Sequence, residues 1–204
     1  MRFLRRGLIC AAAAMPLVAT AANVMLTEVT GITVSGTIGQ LRTGSQWAPA
    51  PAPAALSTLH DGAFLQASTT WTNGTVWWDE LVFSTTANPV TIEFQLTGLL
   101  TLDRFVVQGD DNDVYHVDWW DGSSWQSAYA AAAVGGFGMQ TRDSGLLSPI
   151  TTDRLRVRAS GGDAYYSVSE IQAYSVDQPV PEPGSLALAG AALVLALARR
   201  RYRM

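Results

Sequence analysis

The stretch DRLRVRASG, residues 153–161, decides how the centre of this chain is expected to fold. Leu155 and Val157 alternate there with three arginines, at positions 154, 156 and 158. Successive side chains of a β-strand point to opposite faces, so this alternation predicts a strand with one buried face and one solvated face.

Short runs of the same kind recur through the chain, and no long stretch between its two ends has a helical period. They read TGITVSG (30–36), VTIEFQL (90–96), LDRFVVQG (102–109), DVYHVDWWDG (113–122) and YYSVSEIQAYS (165–175). Turn-forming pairs such as Asn73-Gly74 and Asp121-Gly122 separate the runs. Many short strands with such turns predict an all-β fold, an antiparallel β-sandwich.

The first 22 residues have the layout of a secretory signal peptide. Arg2, Arg5 and Arg6 precede an apolar run over residues 7–18, and small residues follow it. The run is too short for an ordinary spanning helix, so we expect a cleaved signal helix over 1–22 and an exported protein. The one cysteine of the chain lies in this segment, so the mature protein is expected to have no disulfide.

The last 25 residues read VPEPGSLALAGAALVLALARRRYRM, from Val180 to Met204. Residues 184–198 carry no charge. At about 1.5 Å per residue, a helix there is roughly 22 Å long, which is shorter than the roughly 30 Å hydrocarbon layer of a membrane. Four arginines follow, and their side chains can reach the cytoplasmic head groups. The pattern predicts a short transmembrane helix within a C-terminal segment, residues 179–204.

The order of these parts resembles the PEP-CTERM sorting signal of Gram-negative bacteria. The matching residues are Val180, Pro181, Glu182 and Pro183, followed by the apolar run 186–198 and the arginine cluster. The resemblance implies that an exosortase-type membrane protease recognises and removes the tail. It also implies that the inner membrane holds the protein only transiently, before the protein reaches the cell surface or the extracellular matrix.

The body between the two end segments, residues 23–178, has the length of one domain and is strongly acidic. It has six arginines, no lysine and 16 acidic residues, which gives a formal charge of −10. Such a charge argues against binding to nucleic acid or to anionic lipid. It is compatible with divalent cations and with neutral sugars as ligands.

The segment from LHDG (59–62) to YSVSEIQAY (166–174) resembles the galactose-binding-like, discoidin-type β-sandwich, which is a jelly roll. In that family, an aspartate of the DG turn and a glutamate of the last strand help to hold a structural calcium ion. The resemblance therefore implies a calcium site at Asp61 and Glu170, with Thr69 as a further ligand. The alternative is that Asp61 caps its own turn and that Glu170 is solvated or paired with an arginine.

A second group of oxygen ligands lies in GDDND, residues 109–113. Asp110, Asp111, Asn112 and Asp113 bring three carboxylates together, and a cation or nearby hydrogen-bond donors would relieve their repulsion. The group is a candidate for a second calcium site or for contacts to sugar hydroxyls. The interpretation that the sequence favours is a polar connection between two strands that is held by Asx turns.

Seven tryptophans lie in the body, and four of them form the adjacent pairs Trp77-Trp78 and Trp119-Trp120. Neighbours on a strand face opposite sides, so one member of each pair is expected to be exposed unless a loop covers it. Exposed aromatic rings stack on sugar rings, and these pairs are therefore candidate carbohydrate contacts together with residues 110–113. The alternative is that the rings belong to the core.

Catalysis has few candidate residues in the body. There are two histidines, His60 and His116, and no serine lies in a nucleophile-elbow pattern. We therefore expect a protein that is not an enzyme. The expected function is to bind carbohydrate of the exopolysaccharide or the cell envelope, with calcium as a structural ion. The alternatives are a structural matrix protein without a specific ligand site and, third, a hydrolase.

Overall fold

The computed structural model describes residues 21–36, 41–44, 52–80 and 89–176. Residues Ala21–Asp177 form one compact unit. The sorting segment 179–204 and nearly all of the signal segment 1–22 lie outside the described residues, so the two terminal helices stay predictions. Among the described residues, no helix is both long and apolar enough to cross a membrane.

Ten strands and two short 3₁₀ helices make up the described part of the chain. The strands are β1 (Val29–Ser35), β2 (Arg42–Thr43), β3 (Ala52–Pro53), β4 (Val76–Asp79), β5 (Thr91–Asp110), β6 (Val114–Trp120), β7 (Trp125–Ala131), β8 (Met139–Asp143), β9 (Ile150–Ser160) and β10 (Tyr165–Ser175). The 3₁₀ helices span Val24–Leu26 and Leu56–His60. The pairings of these strands are antiparallel, which confirms the predicted all-β antiparallel fold.

β5 is 20 residues long and passes from one layer of the sandwich to the other. Its first half pairs with β1 and β9, and Phe94 lies opposite Leu155 there. Its second half pairs with β8 and β10, and Val107 lies opposite Ile171 there. Leu102 is paired with residues of both β9 and β10, so the strand changes layers at this position.

The first layer has the strand order β1-β5-β9-β6-β7, and the second has the order β8-β5-β10-β4-β2-β3. Side chains of both layers form one buried core, which includes Ile92, Phe94, Val117, Leu155 and Val157 of the first layer and Trp78, Phe105, Val107, Val168 and Ile171 of the second. Each such side chain contributes roughly 1.5–3 kcal/mol by leaving water, so the fold rests mainly on this core.

The stretch that predicted a strand with two different faces forms β9. Leu155 and Val157 are buried in the core, while the three arginines between and beside them are only partly buried on the opposite face. β9 lies between β5 and β6, and Arg156 is directly opposite Asp118 of β6. The predicted alternation is therefore confirmed, and it places a row of guanidinium groups on the outer face of the first layer.

The two ends of the described domain lie next to each other. The backbone N–H of Ser175, at the end of β10, donates to the carbonyl of Ala22 over 3.1 Å. Asn23 forms an isolated bridge with Tyr174 of the same strand. β10 itself is an interior strand of the second layer, because it pairs with β4 on one side and with β5 on the other.

Candidate functional site

Both tryptophans of β4 are buried, which is the exception that the sequence analysis allowed for, because other residues cover the outer face of this strand. Trp78 faces the core and has no exposed surface, and Trp77 is only 3% exposed on the opposite face. There the guanidinium of Arg42 lies 5.0 Å from the ring of Trp77, and the ring of Trp71 packs edge-on at 5.4 Å. Strand β2 and the loop that precedes β4 thus cover the outer face of β4, so Trp77 and Trp78 are not available as ligand contacts.

The second pair, at the end of β6, divides between the two faces as the alternation predicts. Trp119 packs against the core. Trp120 lies opposite Trp125 of β7, and the two rings meet edge-to-face with their centroids 5.4 Å apart. Both Trp120 and Trp125 are partly exposed on the outer face of the first layer.

Two arginines of β9 stack on these two rings. The guanidinium carbon of Arg154 lies 4.4 Å from the ring centre of Trp120, and that of Arg156 lies 4.5 Å from the ring centre of Trp125. Such cation–π contacts are worth about 0.5–1 kcal/mol at exposed sites. They fix both the rings and the guanidinium groups in defined positions on the face.

Asp118 binds two of the three arginines of β9, Arg156 and Arg158. Its carboxylate is almost completely buried, and its Oδ2 accepts hydrogen bonds from Nη2 and Nε of Arg156 over 2.7 and 3.1 Å and from Nε of Arg158 over 3.0 Å. The sequence analysis missed this residue. Its position in the sequence could have identified it, because Asp118 is two residues from Trp120 and therefore lies on the same face of the strand.

The turn between β6 and β7 adds a fixed carboxylate beside the two rings. Oδ1 of Asp121 accepts hydrogen bonds from the backbone N–H groups of Ser123 and Ser124, and Oδ2 accepts one from the side-chain amide of Gln126. These hydrogen bonds hold the pKa of Asp121 well below its usual value, and the one from the Ser124 N–H has the largest effect.

We call the surface formed by Asp118, Trp120, Trp125, Arg154, Arg156 and Arg158 the tryptophan–arginine face.

The predicted acidic group at residues 110–113 does not lie on this face. Asp110 ends β5 and Asp113 directly precedes β6, whereas Trp119 and Trp120 are at the other end of β6. β6 has seven residues, so about 20 Å separates the two groups at roughly 3.3 Å per residue. The sequence-predicted sugar contacts therefore belong to two different places.

Asp113 is an interior residue rather than a surface ligand. Its side chain has no exposed surface, and its Oδ2 accepts a hydrogen bond from the Tyr115 hydroxyl over 3.3 Å. Burial, together with the charge of Asp110, raises the pKa of Asp113 to about 8. Among the described residues there is no group of three His, Cys, Asp or Glu side chains arranged to hold a metal ion. Oδ1 of Asp113 is buried without a hydrogen-bond partner among the described residues, and the second calcium site stays a prediction.

Asp61 and Glu170 are brought together, as the resemblance implied. Oε1 of the buried Glu170 accepts hydrogen bonds from the backbone N–H of Gly62 over 3.0 Å and from the side chain of Gln172 over 3.1 Å. Burial raises the pKa of Glu170 to about 7, and the charge of Asp61 contributes in the same direction. Oε2 of Glu170 is buried and has no hydrogen-bond partner among the described residues.

Asp61 and Thr69, the other two residues of the calcium prediction, form hydrogen bonds with nearby backbone groups. Oδ1 of Asp61 accepts a hydrogen bond from the N–H of Ala63 over 2.8 Å, which is the backbone cap proposed as the alternative. Its second carboxylate oxygen is not part of that cap. The hydroxyl of Thr69 donates to the carbonyl of Gln66 over 2.6 Å, and its own carbonyl accepts from the N–H of Met139 over 2.9 Å. Thr69 is thus engaged in local structure.

The two histidines have separate structural partners. Nδ1 of His60 lies 2.9 Å from the carbonyl of Met25. Nε2 of His116 lies 2.8 Å from the hydroxyl of Ser160, which is the spacing of a base and a nucleophile. Within the described part of the chain, no carboxylate is hydrogen-bonded to His116, so the third member of a hydrolytic triad is missing from this arrangement.

Comparison with known proteins confirms the sorting motif. The profile described as the PEP-CTERM protein-sorting motif matches residues 179–201. No curated protein matches the chain in sequence.

Several solved structures are similar to the described fold. The family 32 carbohydrate-binding module from C. perfringens NanJ, in complex with galactose, is 14% identical, with a TM-score of 0.47 over 76% of this chain and 100% of that one. The family 32 module from Streptococcus pneumoniae EndoD is 16% identical, with the same TM-score and the same coverage. A chitosan-binding module of a chitosanase/glucanase from Paenibacillus sp. IK-5 is 18% identical, with a TM-score of 0.42 over 76% of this chain and 99% of that one.

Proposed function

We propose that this exported protein binds carbohydrate through the tryptophan–arginine face. The observation that supports the proposal is the Trp120–Trp125 pair, which stays partly exposed although two arginines and a buried aspartate fix its surroundings. The body has enough apolar side chains to bury others completely, as Trp77 and Trp78 show. Two ordered tryptophans at the surface are therefore better explained by a ligand than by stability.

The face offers the chemistry that a sugar ring requires. Rims of the indole rings contact the apolar C–H surface of a sugar, while its hydroxyl groups need both donors and acceptors. Arg154 and Arg158 supply N–H donors, whereas the carboxylate oxygens of Asp121 already accept hydrogen bonds within their own turn. Because stacking and hydrogen bonds already hold these groups, binding orders few additional side chains and loses little conformational entropy.

The sorting motif supports a function outside the cytoplasm. We propose that an exosortase-type protease processes the tail and that the carbohydrate belongs to the envelope or to exopolysaccharide. In this proposal the motif delivers the domain to the polymer that it binds. The alternative is a matrix protein with no saturable site.

Replacing one tryptophan tests the carbohydrate proposal. Trp125→Ala removes half of the ring pair, and we expect its affinity for the bound glycan to fall about tenfold, which corresponds to about 1.4 kcal/mol. Trp71→Ala is the matched control, because Trp71 is also partly exposed but packs on Trp77 and Tyr165 of the second layer. The measurement is titration calorimetry of the full-length protein with a panel of soluble glycans. Equal affinities of both variants and the wild type would reject this face.

We also propose a structural calcium ion at Glu170 and Asp61. The buried and unpartnered Oε2 of Glu170 fits a cation, because an isolated buried carboxylate is costly. Two carboxylates leave most of the six to eight oxygens that calcium prefers to backbone carbonyls and water. The ion would neutralise the Glu170–Asp61 pair and stabilise the turn over 61–63.

Thermal unfolding with calcium and with a chelator tests this site. A ligand that binds only the folded state raises the melting temperature, so calcium should stabilise the wild type. Glu170→Gln should lose that response, whereas Glu93→Gln, a partly exposed glutamate of β5, should keep it. A calcium response of the same size in Glu170→Gln would reject the site.

A further inference from the structure

The arginine row of β9 indicates what kind of carbohydrate the face accepts. We propose that the ligand is an acidic polysaccharide, whose uronic acid carboxylates bind along Arg154, Arg156 and Arg158. This inference rests on the carbohydrate-binding function proposed above and names the class of ligand for the same site.

Half of the arginines of an acidic body are concentrated in this row. The body has six arginines against a formal charge of −10. Outside the row, Arg42 is paired with Asp79, Arg104 is paired with Asp143, and Arg142 is buried with hydrogen bonds to two backbone carbonyls. The row is thus where the described surface concentrates guanidinium groups, and two of them, Arg156 and Arg158, share one carboxylate, that of Asp118.

The spacing of the row suits a polymer. The three arginines occupy alternate positions of one strand, so their side chains leave the same face at intervals of roughly 6.6 Å. A guanidinium group is planar and binds a carboxylate through two parallel hydrogen bonds. A single small anion would use one such group, whereas a chain with repeated carboxylates can use the row.

The hydrogen bonds within the face leave donors free. Asp118 accepts from both Arg156 and Arg158 with one oxygen, Oδ2. Among the described residues, no acceptor is hydrogen-bonded to the terminal Nη atoms of Arg154 or Arg158, and the carboxylate of Asp153 lies 3.5 Å from Nε of Arg154. These Nη atoms are the donors that an incoming carboxylate would meet.

Nearby acids limit the excess of positive charge. Glu93 of β5 lies opposite Arg156 but forms no ion pair with it among the described contacts. With Asp118, Asp121, Glu93 and Asp153 counted, the local charge is about −1, which is far less negative than that of the whole body. The face therefore does not attract polyanions over long distances, and we expect recognition to depend on the directional contacts of the guanidinium groups.

The decisive comparison uses one sugar in two charge states. The full-length protein, in a detergent without a sugar head group, is titrated with polygalacturonate oligomers, with their methyl esters and with a neutral galactan. We expect the free acid to bind at least about tenfold more tightly than the ester, a difference of about 1.4 kcal/mol. Oligomers of two further polyuronates, mannuronate and guluronate, extend the panel to other uronic acids.

Matched arginine variants link that difference to the row. Arg154→Gln should remove most of the preference for the free acid, and Arg158→Gln should reduce it. Arg104→Gln is the control, because its side chain is 38% exposed against 36% for Arg154 and also stacks on an aromatic ring, that of Tyr174. It should leave the preference unchanged.

The outcomes separate the two proposals. Binding of a neutral glycan or an ester as tightly as the acids would overturn the acidic ligand and leave carbohydrate binding standing. Binding of no glycan in the panel would reject both. A preference for the acid that survives both Arg154→Gln and Arg158→Gln would overturn the role of the row.

Discussion

At the scale of single residues, three buried acids dominate the expected response to pH. Burial raises the pKa of Asp113 from an ordinary value of 3.8 to about 8, that of Asp110 from 3.8 to about 6 and that of Glu170 from 4.5 to about 7. The folded protein therefore holds these protons more tightly than the unfolded chain does. This contribution to stability is complete below about pH 4 and is lost as the pH rises toward 8.

The corresponding prediction concerns thermal unfolding between pH 5 and pH 8, with a chelator present so that calcium does not mask Glu170. The melting temperature should fall as the pH rises, and Asp113→Asn should flatten the curve because an amide has no proton to lose in this range. Asp153→Asn, at a partly exposed position, serves as the control and should follow the wild type. A wild-type curve that rises toward pH 8 would contradict the prediction.

Gly162 shows a second constraint at this scale. Its φ is +57°, and a Cβ atom there would lie 1.9 Å from Oδ1 of Asp113. Gly162→Ala should therefore lower the free energy of unfolding by about 2 kcal/mol or more, measured by urea denaturation. Gly161→Ala separates the two causes, because Gly161 also has a positive φ, +82°, but open space around its Cβ position. Equal losses in both variants would show that crowding of Asp113 has no effect.

At the scale of elements, the β6–β9 pair depends on one buried carboxylate. Asp118 is 3% exposed and holds Arg156 and Arg158, which are 22% and 33% exposed. Asp118→Asn should lower the free energy of unfolding by about 1–3 kcal/mol, since two guanidinium groups lose a charged acceptor. Asp143→Asn breaks the exposed pair with Arg104 and should cost less than about 1 kcal/mol. Urea denaturation measures both, and similar losses would contradict the burial argument.

What the sequence could predict about these elements depended on whether the cause was local. The alternation in β9 and the division of Trp119 and Trp120 between two faces follow from strand geometry, and both are confirmed. The burial of Trp77 could not be foreseen in the same way, because strand geometry does not show that Arg42 of β2 and Trp71 of the preceding loop cover its face. The odd or even position of a side chain along a strand determines on which face of the sheet it lies. It does not determine whether other residues cover that face.

The candidate site was only partly predictable for a related reason. Trp120 was identified, but its partners Trp125, Arg154 and Arg156 come from two neighbouring strands, and their contacts follow from registers that the sequence does not show. The grouping of Trp119 and Trp120 with residues 110–113 was wrong, because the two sets lie at opposite ends of β6.

At the scale of the whole molecule, Leu102 ties the two layers together. It is fully buried where β5 leaves β9 for β10. Leu102→Ala should lower the free energy of unfolding by about 2–5 kcal/mol, because a cavity would form between both layers. Leu99→Ala, three residues earlier on the same strand and 73% exposed, should change it little. Comparable losses in denaturant titrations of the two variants would show that the passage of β5 does not depend on this core position.

The interior place of β10 bears on when the protein can fold. β4 pairs with Tyr165–Val168 of β10, and β5 pairs with Val168–Ser175, so β10 joins these two strands in the second layer. This joining strand is the last of the described strands to be synthesised. We therefore expect the second layer to remain open until almost the whole domain has left the ribosome. A chain whose second layer forms late in this way stays unfolded for longer and can therefore pass through a secretion pore.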